Sequence, residues 1–338
     1  MHSLITTARE MVAAPKGILA ADESNATITK RFELLGIEST ADSRRAYREM
    51  LLTTPGLAQH TSGVILYDET FHQRTSDGRL FPSLLEDLGV LPGIKVDTGA
   101  KPLAGRPEET VTEGLDGLAD RLEAYARLGA RFAKWRAVIA IGDGVPSRAC
   151  LSANAHALAR YATLCQDAGV VPIVEPEVLM AGSHPLGRTA AVTEETLRVV
   201  FAALADQDVE LEGIVLKPNM VVPGRKCAKQ NSVEEVAERT VKVLKRCVPG
   251  AVPGIAFLSG GQSDEEATAH LSAMNAIGNL PWALTFSYGR ALQAAPQAAW
   301  AGKPENVAKA QAAFAHRALM NSLAALGKWN QAEEKKAA

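Results

Sequence analysis

Lys217 closes an apolar run, Ile214, Val215 and Leu216, and Pro218 follows it at once. An amine at that place has no use in a core and a clear one in chemistry. The same break recurs along the chain. Asp22 ends "GILAAD" and Asp68 ends "GVILYD". Lys95 and Asp97 stand two apart in "GIKVD", Lys134 and Arg136 in "FAKWRAVI", and Glu175 and Glu177 in "VPIVEPE". Ser259 ends "GIAFLS", and Ser287 and Arg290 mark the end of "ALTFS". On a strand, side chains two apart share a face, so each pair points one way.

A lysine becomes a nucleophile once desolvation or a nearby cation frees its amine of its proton. Such an amine attacks a ketone and loses water to give an iminium, which draws electrons from the neighbouring carbon–carbon bond. Glu175 and Glu177 can carry the protons, and Asp22 can accept one from a departing hydroxyl. That is carbon–carbon lyase chemistry without a metal. A metal-dependent route would polarise the ketone with zinc held by histidines. None of the seven histidines (His2, His60, His72, His156, His184, His270, His316) stands at a strand end, and each reads as a surface or packing residue. Asp68 reads as a turn or helix-capping residue.

The apolar runs must be strands that bring these groups together. Eight are expected: Gly17–Asp22, Gly63–Asp68, Gly93–Asp97, Phe132–Ile139, Val171–Glu177, Gly213–Lys217, Gly254–Ser259 and Ala283–Ser287. Helical periodicity fills the gaps, as in residues 112–129, 153–169, 193–207, 232–247, 263–278 and 304–329. Strand–helix alternation implies parallel strands, and eight units close into a (β/α)₈ TIM barrel, an α/β fold. A doubly wound open sheet is the second reading, but no phosphate-binding GxGxxG follows a strand. "MHSLITTAREMVAAPKG" reads as an extra amphipathic N-terminal helix with Leu4, Ile5, Ala8, Met11 and Val12 on one face. A further helix ends the chain, and the insertion between the first two strands must hold more. Residues 1–338 are expected as one barrel domain, with 330–338 a flexible C-terminal tail.

In this architecture the active site lies at the carboxyl ends of the strands. "LSGGQS" and "FSYGR" follow the last two strands, where their glycines let backbone N–H groups approach an anion. Arg290 can add a bidentate contact.

The chain has 338 residues, 47% hydrophobic and 22% charged, with a formal net charge of -2. No basic footprint suggests a nucleic-acid partner, and no apolar run is long enough for a bilayer. The cysteines, Cys150, Cys165, Cys227 and Cys247, form no CxxC pair and no Cys/His cluster, so reduced thiols in a cytoplasmic protein are expected.

The motifs "GILAADES", "GIKVDTGAKPLAG", "EGLDGLADR", "FAKWRAVI", "IVEPEVL", "VLKPNMVVPG", "FLSGGQS" and "FSYGRALQ" run in order from about residue 17 to 293. In them the chain resembles class I fructose-1,6-bisphosphate aldolase. The resemblance implies reversible cleavage of fructose 1,6-bisphosphate to dihydroxyacetone phosphate and glyceraldehyde 3-phosphate, in glycolysis and gluconeogenesis. It implies no cofactor, no metal, a phosphorylated sugar as partner and a homotetramer. By motif, Lys217 resembles the Schiff-base lysine and Glu175 the acid/base for carbinolamine dehydration, supported by Glu177. Lys134 resembles the lysine beside the iminium, and Asp22 the acceptor of the C4 hydroxyl proton. Ser259, Gly260, Ser287, Gly289 and Arg290 resemble the site for the 1-phosphate. Ser24, Lys95 and Arg136 resemble contacts to the 6-phosphate, and Arg31 an active-site arginine. Thr98 and Ala140 stand where animal members carry basic residues. The last tyrosine is Tyr288, whereas animal members end in a tyrosine-tipped tail. The rival readings are another Schiff-base barrel, such as a transaldolase or keto-acid lyase acting on a different phosphorylated sugar, and a barrel kept as a binding scaffold.

Overall fold

The computed structural model describes residues 3–336. Eight parallel strands close into a barrel: β1 (Gly17–Ala21), β2 (Thr61–Leu66), β3 (Leu91–Lys95), β4 (Phe132–Ile139), β5 (Val171–Val178), β6 (Val215–Leu216), β7 (Gly254–Phe257) and β8 (Ala283–Tyr288). Each strand pairs with its sequence neighbours, and β1 meets β8 through Ile18 opposite Ser287. The expected (β/α)₈ barrel is the observed fold. Several strands end earlier than read from the sequence. Asp22, Asp97, Lys217 and Ser259 each lie just beyond one, where the chain turns to the loop. Lys217 still donates its backbone N–H to Val174 at 2.8 Å, so the ladder reaches it.

Alternation explains why the mouth is charged. Ile18, Ala20, Phe132, Val171, Ile173, Val215 and Ala256 form one buried cluster inside the barrel floor. Moving along the same faces by twos gives Asp22 after Ala20, Lys134 and Arg136 after Phe132, Glu175 and Glu177 after Ile173, and Lys217 after Val215. One face of each of these four strands is therefore apolar below and ionic above. The N-terminal helix, Leu4–Met11, closes the floor with Ala8 and Met11, and Val12 follows it there. Phe132 fills the centre only because Gly93 faces it: a Cβ there would lie 2.2 Å from the ring. Burying such a ring contributes roughly 1.5–3 kcal/mol. A larger cluster packs the outer faces of the strands against the helices.

The insertion after β1 holds the helices Asn25–Glu33 and Ala41–Leu52, each started by a hydroxyl cap, Ser24 and Thr40, and a single turn, Leu57–His60. Residues 112–129 are helical only over Leu118–Arg127. The preceding part belongs to an antiparallel ribbon, Gly99–Leu103 against Arg106–Glu113, which the eight-strand reading lacked. The ribbon sits on β4, where Thr112 Oγ1 donates to the Arg136 carbonyl at 2.7 Å. Within the expected tail, Gln331–Lys336 form a short helix. Its Glu334 carboxylate accepts from Trp329 Nε1 at 2.8 Å and pairs with Arg317 and His316.

Candidate active site

The strand ends surround a cavity of about 1020 Å³. All fourteen residues singled out from the sequence line it: Asp22, Ser24, Arg31, Lys95, Lys134, Arg136, Glu175, Glu177, Lys217, Ser259, Gly260, Ser287, Gly289 and Arg290.

At its centre lie two lysines and two carboxylates. Lys217 Nζ is 3.4 Å from Glu175 Oε1, and Lys134 Nζ is 3.5 Å from Glu175 Oε2 and 2.6 Å from Asp22 Oδ2. Lys217 is 3% exposed, Glu175 3% and Lys134 4%. Four formal charges sum to zero, which is what lets them share a buried place. Burial alone would push the Asp22 carboxyl up. Lys134, Lys217 and Lys95 outweigh it and hold that carboxyl well below the usual carboxylate range. Burial would likewise push Lys134 down, but Asp22, Glu175 and Asp97 hold its ammonium above the ordinary value. Asp22 and Lys134 thus remain an ion pair across neutral pH. Glu175 Oε2 is buried and accepts no hydrogen bond among the described residues, its nearest cation being Lys134 Nζ at 3.5 Å.

Arg136 Nε pairs with Glu177 Oε2, so Glu177 is held by the arginine on the neighbouring strand. Lys95 Nζ donates to Asp97 Oδ1 at 2.7 Å, and the other Asp97 oxygen accepts from the Arg136 backbone N–H at 3.3 Å. Asp97 therefore holds the Lys95 side chain and the Arg136 backbone. Its place in "KVD" was visible as a strand-end charge; its bridging role was not. Asp68 is the first residue of a short helix and accepts from the Tyr125 hydroxyl at 2.6 Å.

The opposite rim is built for an anion. Gly260 and Gly261 take positive φ, 49° and 82°, which turns the loop after β7 sharply. Ser287 Oγ is buried without a hydrogen-bond partner among the described residues. Arg290, at the start of the helix Arg290–Trp300, has no carboxylate or hydrogen-bond acceptor among the described residues. Burial first, then Arg31, push its guanidinium below the ordinary value, although it stays protonated. An unpaired cation, an orphan hydroxyl and a helix N-terminus meet where an oxyanion would satisfy all three.

His270, which the sequence left as a packing residue, supports this loop from behind. Its Nδ1 lies 2.6 Å from Gln262 Oε1, and Gln262 Nε2 donates to the Ser259 carbonyl at 3.0 Å. Burial lowers its pKa from 6.5 to about 4. A histidine held neutral in the fold contributes stability above pH 6.5 that is lost as pH falls toward 4. That loss totals on the order of 3 kcal/mol. Melting temperature followed from pH 7 to 4 is expected to fall more steeply for the wild type than for His270→Gln; equal slopes would contradict it.

Such a mouth on such a barrel fits a (β/α)₈ enzyme that acts on an anionic substrate. The family model for fructose-bisphosphate aldolase class-I matches residues 3–338. A protein of Xanthomonas campestris pv. campestris named "Probable fructose-bisphosphate aldolase class 1" is 59% identical over 330 residues, 97% of this chain and 99% of that protein. "Fructose-bisphosphate aldolase 4, cytosolic" of Arabidopsis thaliana is 54% identical over 96% of this chain and 83% of that one. A solved aldolase from Plasmodium falciparum, in complex with TRAP and a small-molecule inhibitor, superposes with a TM-score of 0.96 at 49% identity. It covers 97% of this chain and 95% of its own. The chain belongs to the class I fructose-bisphosphate aldolase family. It is a carbon–carbon lyase, and its reaction is the aldol cleavage of fructose 1,6-bisphosphate.

Proposed function

We propose that Lys217 carries out this cleavage through a Schiff base. Its neutral amine adds to the C2 carbonyl of the open-chain sugar, and the carbinolamine loses water to give an iminium. Glu175, 3.4 Å from the amine, supplies the proton that lets the hydroxyl leave. Asp22 then takes the C4 hydroxyl proton as the C3–C4 bond breaks. Its electrons pass to the iminium as an enamine, and glyceraldehyde 3-phosphate departs. Protonation at C3 and hydrolysis release dihydroxyacetone phosphate and restore the amine.

The other residues hold the charges in register. Lys134 holds the Asp22 and Glu175 carboxyl groups in place. Glu177 orients Arg136. Ser259, Gly260, Ser287, Gly289 and Arg290 receive the 1-phosphate. Ser24, Lys95 and Arg136 receive the 6-phosphate across the cavity, and Arg31 is a further arginine of the site. The single observation that carries this reading is the unequal pairing of the lysines. Lys134 is engaged by Asp22 at 2.6 Å, while the one ion pair of Lys217 among the described residues is with Glu175, at 3.4 Å.

We further place the protein in the cytoplasm, in glycolysis and gluconeogenesis, as a homotetramer. The Arabidopsis relatives are named cytosolic, and no helix among the described residues is long and apolar enough to cross a membrane. The tetramer rests on the family resemblance alone. Cleavage of fructose 1,6-bisphosphate, coupled to detection of triose phosphate, is expected to proceed unchanged in excess EDTA. Loss of activity that zinc restores would contradict the lysine route.

A further inference from the structure

Two buried side chains behind the loop after β7 have no part in the scheme above. Gln262 is 9% exposed and His270 7%. The Ser259 carbonyl accepts from both donors of Gln262, the backbone N–H at 2.9 Å and Nε2 at 3.0 Å. Gln262 Nε2 also lies 3.6 Å from Met220 Sδ. With its amide nitrogen committed to that carbonyl, Gln262 turns Oε1 to His270 Nδ1, 2.6 Å away. The neutral imidazole therefore carries its hydrogen on Nδ1. His270 belongs to the helix Asp264–Ile277, whose start is fixed by a capping box of Ser263 and Glu266. On the other flank Leu258 donates its N–H to the carbonyl of Pro218, the residue after Lys217, at 3.2 Å.

A trans peptide sets its C=O and N–H on opposite sides. Pinning the Ser259 carbonyl toward Gln262 therefore turns the Gly260 N–H away from it. Neither Gly260 N–H nor Gly261 N–H has an acceptor among the described residues. A Cβ built on Gly261 would lie 3.6 Å from Arg290 Nη2, so these N–H groups stand beside the unpaired guanidinium. Two successive glycines at positive φ leave the turn free to take other shapes. One backbone hydrogen bond closes it, and the Gln262 side chain adds the second. Burying an amide and an imidazole for one carbonyl costs desolvation that an apolar pair would avoid. That choice points to the orientation of the turn rather than to packing.

We propose that Gln262, held by His270, is a positioning residue that keeps the Ser259–Gly261 turn with its N–H groups free for a phosphate of the substrate. The proposal rests on the anion reading of this rim given above. It implies that affinity for phosphate, and not the chemistry at Lys217, passes through these two side chains.

The test is steady-state kinetics of Gln262→Met on fructose 1,6-bisphosphate, with inorganic phosphate as a competing anion. The variant is expected to raise KM and the phosphate inhibition constant about tenfold each, and to lower kcat by no more than about twofold. His270→Leu should show the same split, and the double variant should be no worse than Gln262→Met alone. His270→Asn places an amide nitrogen where Nδ1 stood and is expected to stay within about twofold of the wild type. Dihydroxyacetone, which carries no phosphate, should be trapped on Lys217 by borohydride at wild-type yield in every variant. Unchanged KM and phosphate inhibition in Gln262→Met would overturn the proposal. So would an equal loss of dihydroxyacetone trapping, or a His270→Asn as impaired as His270→Leu. Should Gln262→Met not be recovered folded, the contrast between His270→Leu and His270→Asn decides alone. A wild-type enzyme that phosphate does not inhibit would overturn the anion reading itself, and this device with it.

Discussion

Lys217→Ala is expected to lower kcat by about 10⁴-fold or more, since losing a covalent nucleophile removes the route itself. Lys217→Arg should do the same, although it keeps a cation beside Glu175. That pairing of variants separates electrostatics from covalency: a guanidinium satisfies the carboxylate but forms no iminium with a ketone. Both proteins should remain folded. Glu175 keeps Lys134 at 3.5 Å when Lys217 is gone, so no carboxylate is stranded. A stability loss on the order of 1–3 kcal/mol, a few degrees in Tm, is the expected scale. Turnover within tenfold of wild type in either variant would contradict the assignment.

Asp22→Asn is expected to lower kcat for cleavage by roughly 10²–10⁴, the usual range for removing a group that transfers a proton. Iminium formation does not use that group, so the six-carbon adduct should accumulate on the enzyme. Lys134, Lys217 and Lys95 hold the Asp22 carboxyl well below its ordinary value, against the opposing effect of burial. Its carboxylate is therefore already formed at every working pH. As pH falls, stabilisation from this group is lost only below its unfolded-state value, near 3.8. So weak a resting base serves because the hydroxyl proton turns acidic only as the carbon–carbon bond breaks. Unimpaired cleavage by Asp22→Asn would place the base elsewhere.

Much of the site was legible because strand parity and barrel topology are simple constraints. Lys134 with Arg136 and Glu175 with Glu177 share faces for a reason that no tertiary detail can undo. The barrel puts every such end at one rim. Even β6, only two residues long, kept Lys217 in register. Other parts depended on contacts between distant segments. Glu23 adjoins Asp22 in "AADES" but serves Arg48 and Gln293, which lie 25 and 270 residues away. His270 acts through Gln262, which nothing in a helical pattern reveals. The ribbon escaped because "GAKPL" lacks the β-branched and aromatic residues that mark strands. Residues 330–338 read as a flexible tail, and within them Glu334 draws Arg317, His316 and Trp329 together. For Glu23, His270 and Glu334 a polar residue found a partner that only folding brings near.

The central claim is that one nitrogen, Nζ of Lys217, bonds to the sugar's carbonyl carbon. Borohydride reduction in the presence of dihydroxyacetone phosphate, followed by peptide mapping, locates that bond directly. A single reduced adduct on the peptide carrying Lys217, absent from Lys217→Arg, is the predicted result. An adduct on Lys134 or another lysine, or turnover with no adduct at all, would contradict it.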